Sequence, residues 1–319
     1  RIIVEKSQHY WDRDTVSLNG VVFYPMENVV SEERMFRVEQ LHYTQVVPLD
    51  KIPLYRDMPD TPYVQSAYLG TYYYLINTKR PPVDDARVRK ALAMTVDREK
   101  LTRTVLQQTA FPAYSITPPD TLGYFPPKLF DYDPTEARRL LAEAGYPNGE
   151  GWPGLEILYN TNEGHRKIAV AIQQMWKSEL GIDITITNQE WKVYLDSVTQ
   201  IDFQVARRGW IGDYVDANNF LDLFITDGGN NSTNYSDPLY DDLILYRAPA
   251  AKTREERYAL FEQAETMLMD EMPIIPIYTY TSKHLIHPSV EGLHSNLMDS
   301  LNLKYVKLIP GRTLPEALR

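Results

Sequence analysis

Apolar positions along this chain repeat with two periods, and each change of period marks an element. Gly70-Thr71-Tyr72-Tyr73-Tyr74-Leu75-Ile76-Asn77 is a β-prone aromatic run stopped by Arg80-Pro81-Pro82. A shorter run, Val21-Val22-Phe23-Tyr24, ends at Pro25, and Ser31 to Gln40 reads as a helix. Val88, Ala91, Leu92 and Thr95 share one face of a helix predicted over Asp84 to Val96, and Asp97 can cap a second that carries Leu101 and Val105. The clearest signals bound a helix over 134–144. Asp133 sits at N-cap, Pro134 at N1, Glu136 at N3 and Gly145 just past the end. An aspartate accepts from the free N–H groups, proline loses only an N–H that had no partner, and glycine tolerates a left-handed exit.

The text then alternates. Leu155 to Tyr159 reads as a strand and His165 to Leu180 as a helix with Ile168, Ile172, Met175 and Trp176 inward, closed by Gly181. Ile182 to Thr187 is a second strand, Glu190 to Gln200 a helix, and Phe203 to Ala206 a third strand. The order β-α-β-α-β predicts an α/β layer with parallel strands, whose strand-end loops are the usual places for ligand contacts. Short helices follow over 216–226 and 237–248, then a longer one from Lys252 to Met269 with Tyr258, Leu260, Phe261 and Ala264 inward. Ile274-Ile275-Pro276-Ile277-Tyr278 is a strand whose proline predicts an edge or crossing position. The tail from Gly311 is expected to be loose.

Composition narrows the function classes. A length of 319 residues gives a prior of about two domains. The absence of Cys excludes a disulfide framework, a thiol nucleophile and Cys-ligated metal. With 33 basic and 43 acidic residues the formal charge is −10, which disfavours a nucleic-acid partner because counterion displacement needs a cationic footprint. No apolar run is long enough for a transmembrane helix and no signal peptide is visible. Arg1 is not an initiator methionine, so the chain reads as processed, trimmed or an excerpt.

No catalytic constellation stands out. His284 and His287 have a spacing that could ligate metal, but the stretch is strand-like without a third ligand, so both read as solvated polar positions. Gly149-Glu150-Gly151-Trp152-Pro153-Gly154 matches G-x-G-x-x-G literally. It follows a helix and leads into a strand, the reverse of a dinucleotide site, so it reads as a loop. Neither a metal nor a cofactor is expected.

One polar-aromatic set does stand out. Ala206-Arg207-Arg208-Gly209-Trp210-Ile211-Gly212-Asp213-Tyr214 follows the third strand, with one carboxylate among aromatics and glycines. Asp213 is a strong partner for an ammonium and Trp210 can wall a site. The alternative is that Trp210 is core and Asp213 caps the helix near 216. His165 and Arg166 open the helix after the first strand, and Asn188-Gln189-Glu190-Trp191 follows the second. All three groups are expected on strand-end loops.

These residues carry a resemblance. Gly209 to Tyr214 resembles the "GW…DY" motif of oligopeptide-binding proteins, the receptors of ABC-type peptide importers. Eight further segments match in order: His9 to Asp12, Thr71 to Tyr74 with Asn77, Arg87 to Leu92, Pro112 to Ser115 with Thr117 to Pro119, Leu141 to Tyr146, Leu158 to Thr161, Asn188 to Lys192, and Ile275 to Tyr278. The resemblance implies an α/β fold of the periplasmic-binding-protein type II. Residues 1–70 would form part of a first lobe, 71–280 a complete second lobe, and 281–319 a return segment and tail. It implies a monomeric, non-enzymatic periplasmic receptor in which two lobes close on an extended peptide held by its main chain, with a membrane permease as partner. Asp213 would pair with the peptide's α-amino group, and His165 and Arg207 with its C-terminal carboxylate. Trp191 and Trp210 would be pocket walls, and Gly209, Tyr214 and Tyr114 complete the ligand-binding set.

Departures bear on peptide length. Val198 stands where some relatives have an Arg, and Gly70 and Ile211 stand where some have a cysteine pair. Nothing matches the long N-terminal stretch with which the family opens. Receptors for dipeptides, nickel, haem or oligosaccharide share the fold, and a truncated module that no longer transports is the remaining alternative.

Overall fold

The computed structural model describes residues 1–318. The chain divides into two compact units, one of residues 1–68 and 281–319, the other of residues 69–280.

Among the described residues ten strands occur in chain order: β1 (Ile2–Glu5), β2 (Gly20–Phe23), β3 (Tyr63–Ile76), β4 (Ala110–Pro112), β5 (Glu156–Asn160), β6 (Thr185–Gln189), β7 (Val205–Ile211), β8 (Ile274–Leu285), β9 (Val290–Glu291) and β10 (Lys307–Leu308). In the first unit β1 pairs with β2 and β9 with β10, both antiparallel. Its core gathers Phe36 of the helix Val29–Arg37 with Val47, Ile52, Tyr55, Tyr63 and Leu285. Leu314 and Leu318 belong to the same cluster, so the tail is packed rather than loose. His284 and His287 are buried, not solvated. The two ring nitrogens of His284 lie 2.9 Å from the Thr44 carbonyl oxygen and 2.8 Å from an Asp299 carboxylate oxygen, which satisfies an imidazole inside the fold.

The second unit is built on a six-stranded mixed sheet in the order β4-β8-β3-β7-β5-β6. β5 runs parallel to both β6 and β7, as the β-α-β-α-β text requires, while β3 is antiparallel to β7. The helix Pro134–Glu143 has its Asp133 cap accepting from the N–H groups of Thr135 and Glu136. The helix Glu163–Leu180 is capped by Asn162 and closed by Gly181 at φ +73°, a backbone region open to glycine. Its Ile168, Ile172 and Trp176 are buried, and the Trp176 indole N–H donates to the Leu92 carbonyl at 2.9 Å.

Three expectations about this sheet also change. β6 starts at Thr185, not Ile182. β7 extends to Ile211, because an unbroken antiparallel register with β3 pairs Val205 with Ile76 through to Ile211 with Gly70. Arg207, Gly209 and Trp210 are therefore strand residues, not loop residues. Pro276 lies on β8, an interior strand between β4 and β3, not on an edge. On the β4 side the pairing covers Tyr278 to Tyr280 and leaves Pro276 outside it, and the Pro276 carbonyl accepts instead from the buried Arg98 guanidinium at 2.8 Å.

Candidate functional site

Period-two alternation along β7 puts Arg207 and Gly209 on one face of the sheet, and Arg208 and Trp210 on the other. On the first face the Arg207 guanidinium lies 4.8 Å from the centre of the Tyr72 ring. One Nη donates to Asn160 Oδ1 at 3.3 Å and the other to the Tyr280 hydroxyl at 3.1 Å. Its Nε is buried without a hydrogen bond, and no carboxylate pairs with the guanidinium among the described residues. Burial opposes its charge, but the hydroxyls of Tyr280, Tyr72, Tyr278 and Tyr194 outweigh this and hold its pKa above the ordinary value. Gly209 leaves room for Tyr280, since a Cβ there would run into the Tyr280 hydroxyl.

His165 joins this face from the first turn of the helix Glu163–Leu180, its ring 5.6 Å from that of Tyr72. Burial, and then the Arg207 charge, push its pKa down to about 3, so at neutral pH it is an uncharged imidazole. Trp191 is half exposed and stacks on Tyr194 at 6.0 Å, and the Tyr194 hydroxyl donates to the Arg207 carbonyl.

A second group forms where β7 ends. Asn219, 4% exposed, accepts at Oδ1 from the Trp210 indole N–H at 2.9 Å and from the Asp213 backbone N–H at 3.0 Å. The Asp213 side chain is exposed and makes no hydrogen bond or ion pair among the described residues. It does not cap the short helix Asn218–Leu221; Asp216 Oδ1 accepts from the Asn218 N–H at 2.9 Å, and the Asp216 carboxylate pairs with Arg257 at 2.5 Å. Asp222 is half-buried nearby, and burial and then the Asp213 charge raise its pKa.

The fold thus joins His165, Arg207 and Gly209 in one cluster with Trp191 at its margin, and Trp210 and Asp213 in another. Tyr214 is exposed beside Asp213. Tyr114 stands apart, since its ring contacts are Phe130, Arg98 and Lys128. Sequence reasoning missed Asn219, Asn160, Tyr194 and Tyr280. The spacing of Tyr72 with Tyr74 and Tyr278 with Tyr280 held a usable signal, because residues two apart on a strand share a face. Among the described residues no group of three or more His, Asp or Glu side chains could hold a metal ion, and no helix is long and apolar enough to cross a membrane.

The chain is 38% identical over 304 residues to the periplasmic murein peptide-binding protein MppA of Escherichia coli, covering 93% of this chain and 56% of that protein. It is 35% identical over 315 residues to the periplasmic oligopeptide-binding protein OppA of Salmonella typhimurium, covering 96% and 57%. The structure of the Escherichia coli murein tripeptide binding protein MppA matches at TM-score 0.88 and 36% identity, over 96% of this chain and 61% of that one. Haemophilus influenzae OppA in complex with the peptide RPPGFSPFR matches at TM-score 0.85 and 32% identity, over 96% and 62%. The chain therefore spans less than two thirds of each of these relatives. Residues 1–232 match the family described as bacterial extracellular solute-binding proteins, family 5 (middle part), and the chain belongs to that family.

Proposed function

We propose that this chain is the greater part of an extracytoplasmic receptor that captures oligopeptides for an ABC-type importer and performs no catalysis itself. The observation that carries the reading is a pair of opposite charges without counter-ions in one unit. The Asp213 carboxylate stands unpaired on a held turn, and the Arg207 guanidinium stands unpaired in a tyrosine cage. The Arg207 charge is withdrawn from water without a counter-ion, which is costly, and the Asp213 carboxylate is exposed with no partner among the described residues, so each is open to an incoming opposite charge. A peptide in zwitterionic form supplies both, an ammonium for Asp213 and a carboxylate for Arg207, with His165 as a neutral N–H donor beside it. Trp210 and Trp191 offer flat apolar walls that tolerate many side chains. That OppA of Haemophilus influenzae is described in complex with a peptide supports the same ligand class here. A membrane permease is the partner this reading requires.

Calorimetry with tri- to pentapeptides tests it. Asp213→Ala is expected to cost about 2–5 kcal/mol of binding, the range for truncating one side of a desolvated charge pair. N-terminal acetylation of the peptide should cost a similar amount. Unchanged affinity on both counts rejects the Asp213 anchor.

A further inference from the structure

We propose that Asn219 is a positioning residue, whose single side-chain oxygen sets the ammonium anchor and the aromatic wall together; this rests on the peptide-receptor reading above. Two donors converge on that atom, the indole N–H of Trp210 at 2.9 Å and the backbone N–H of Asp213 at 3.0 Å. Neither group can accept, so the atom between them is the amide oxygen, whichever way an amide is otherwise oriented. Asn219 is itself fixed. It is 4% exposed, and its backbone N–H donates to the Asp216 carbonyl at 3.1 Å. The Asp216 carboxylate is gripped through both oxygens by Arg257, at 2.5 and 3.0 Å, from the helix Arg254–Glu271.

The turn from Gly212 to Asp216 is thus tied at several points. The Gly212 N–H donates to the Leu69 carbonyl at 2.8 Å, the Asp213 N–H donates to Asn219, and Asp216 binds Arg257. Among the described residues the Asp213 carboxylate has no partner, and it is the one charged side chain of the turn left so. A carboxylate carried on an immobilised backbone loses little entropy when an ammonium arrives, and that is where affinity is gained by preorganisation. Because the indole hangs from the same oxygen, a shift of the anchor moves the wall with it. Asp222, the half-buried acid near Asp213, accepts from the Asn218 side-chain amide at 3.5 Å.

The test compares Asn219→Leu, which keeps the size and removes the acceptor, with Asn219→Asp, which keeps an acceptor oxygen. The probes are trialanine and N-acetyl-trialanine. The ratio of their affinities isolates the ammonium contact, and a general loss of fold would not move it selectively. In the unaltered protein, trialanine should bind at least tenfold more tightly and should shift the Asp213 amide and Trp210 indole N–H resonances with one midpoint. Asn219→Leu should shrink that ratio by about tenfold and expose the indole N–H to solvent exchange, while Asn219→Asp keeps both within about threefold. An Asn219→Leu protein with the full ratio overturns the positioning role and leaves the peptide reading intact. If the unaltered protein makes no distinction between the two probes, the Asp213 anchor fails and this role with it. Should Asn219→Leu not fold, separate midpoints for the two resonances in the unaltered protein overturn the shared control.

Discussion

Arg207 and His165 lie against the same tyrosine, the guanidinium 4.8 Å and the imidazole 5.6 Å from the centre of the Tyr72 ring. The cation therefore acts on the histidine directly. Burial lowers the His165 pKa first and Arg207 adds to it, down to about 3 against an ordinary 6.5. Between those values the unfolded chain binds a proton that the folded one does not, so this group's contribution to stability rises with pH across that window and is lost on acidification. Nitrogen-15 NMR of the imidazole should show a neutral ring at pH 5. Arg207→Met should move its titration upward. A ring that charges with a midpoint near 6.5 in the unaltered protein would contradict the arrangement.

Gly209 sits where β7 passes Tyr280. Adding a Cβ drives it into the Tyr280 hydroxyl and close to a guanidinium nitrogen of Arg207. Gly209→Ala is expected to destabilise by about 1–3 kcal/mol, the usual cost of overpacking. Tyr280→Phe in the same chain should recover most of that, because it removes the atom that is struck. Chemical denaturation of the two single variants and the double variant checks the coupling, and strictly additive effects would count against it.

Glu265 is a fully buried carboxylate on the helix Arg254–Glu271. It accepts from the Ile116 N–H at 2.7 Å, the Thr117 N–H at 3.2 Å and the Thr117 hydroxyl at 2.9 Å. Burial pushes its pKa up and the three donors pull it back, leaving it at about 7 against an ordinary 4.5. The folded chain thus binds a proton over 4.5 to 7 that the unfolded one has released, and stability from this group falls as pH rises through that window. The full effect is on the order of 3 kcal/mol. The difference in stability between the unaltered protein and Glu265→Gln should follow this trend. The amide keeps an acceptor for the two N–H groups and can donate to the Thr117 hydroxyl. Glu265→Leu orphans two buried N–H groups and should cost about 1–3 kcal/mol for each. A pH-independent difference between Glu265→Gln and the unaltered protein would refute the account.

Much of the candidate site was legible residue by residue and illegible as an arrangement. Asp213, Trp210, Arg207 and His165 stand out by chemistry in a short stretch of text. That Trp210 and Arg207 occupy opposite faces of one strand follows from the pairing of β7 with β3, residues some 130 positions apart in sequence. Asn219 carried no mark of its own. A single asparagine is common in turns, and only the convergence of two N–H groups on its oxygen distinguishes it.

Local chemistry determined the helices. Asp133, Pro134, Glu136 and Gly145 bound one helix in the text and in the fold, and Gly181 closes another, because capping satisfies backbone groups within a few residues of the cap. The order of strands and helices likewise fixed an α/β layer, since apolar periodicity is a local property. Tertiary structure decided what depends on distant partners. β7 runs on to Ile211 because β3 supplies its hydrogen bonds, and Pro276 is interior because β4 and β3 flank its strand. His284 is accommodated inside the fold because Thr44 and Asp299 meet its two ring nitrogens, and Ser289 meets Nδ1 of the buried His287. A buried polar group is stable only with its hydrogen bonds made, and the sequence names the group without saying which residue will meet it.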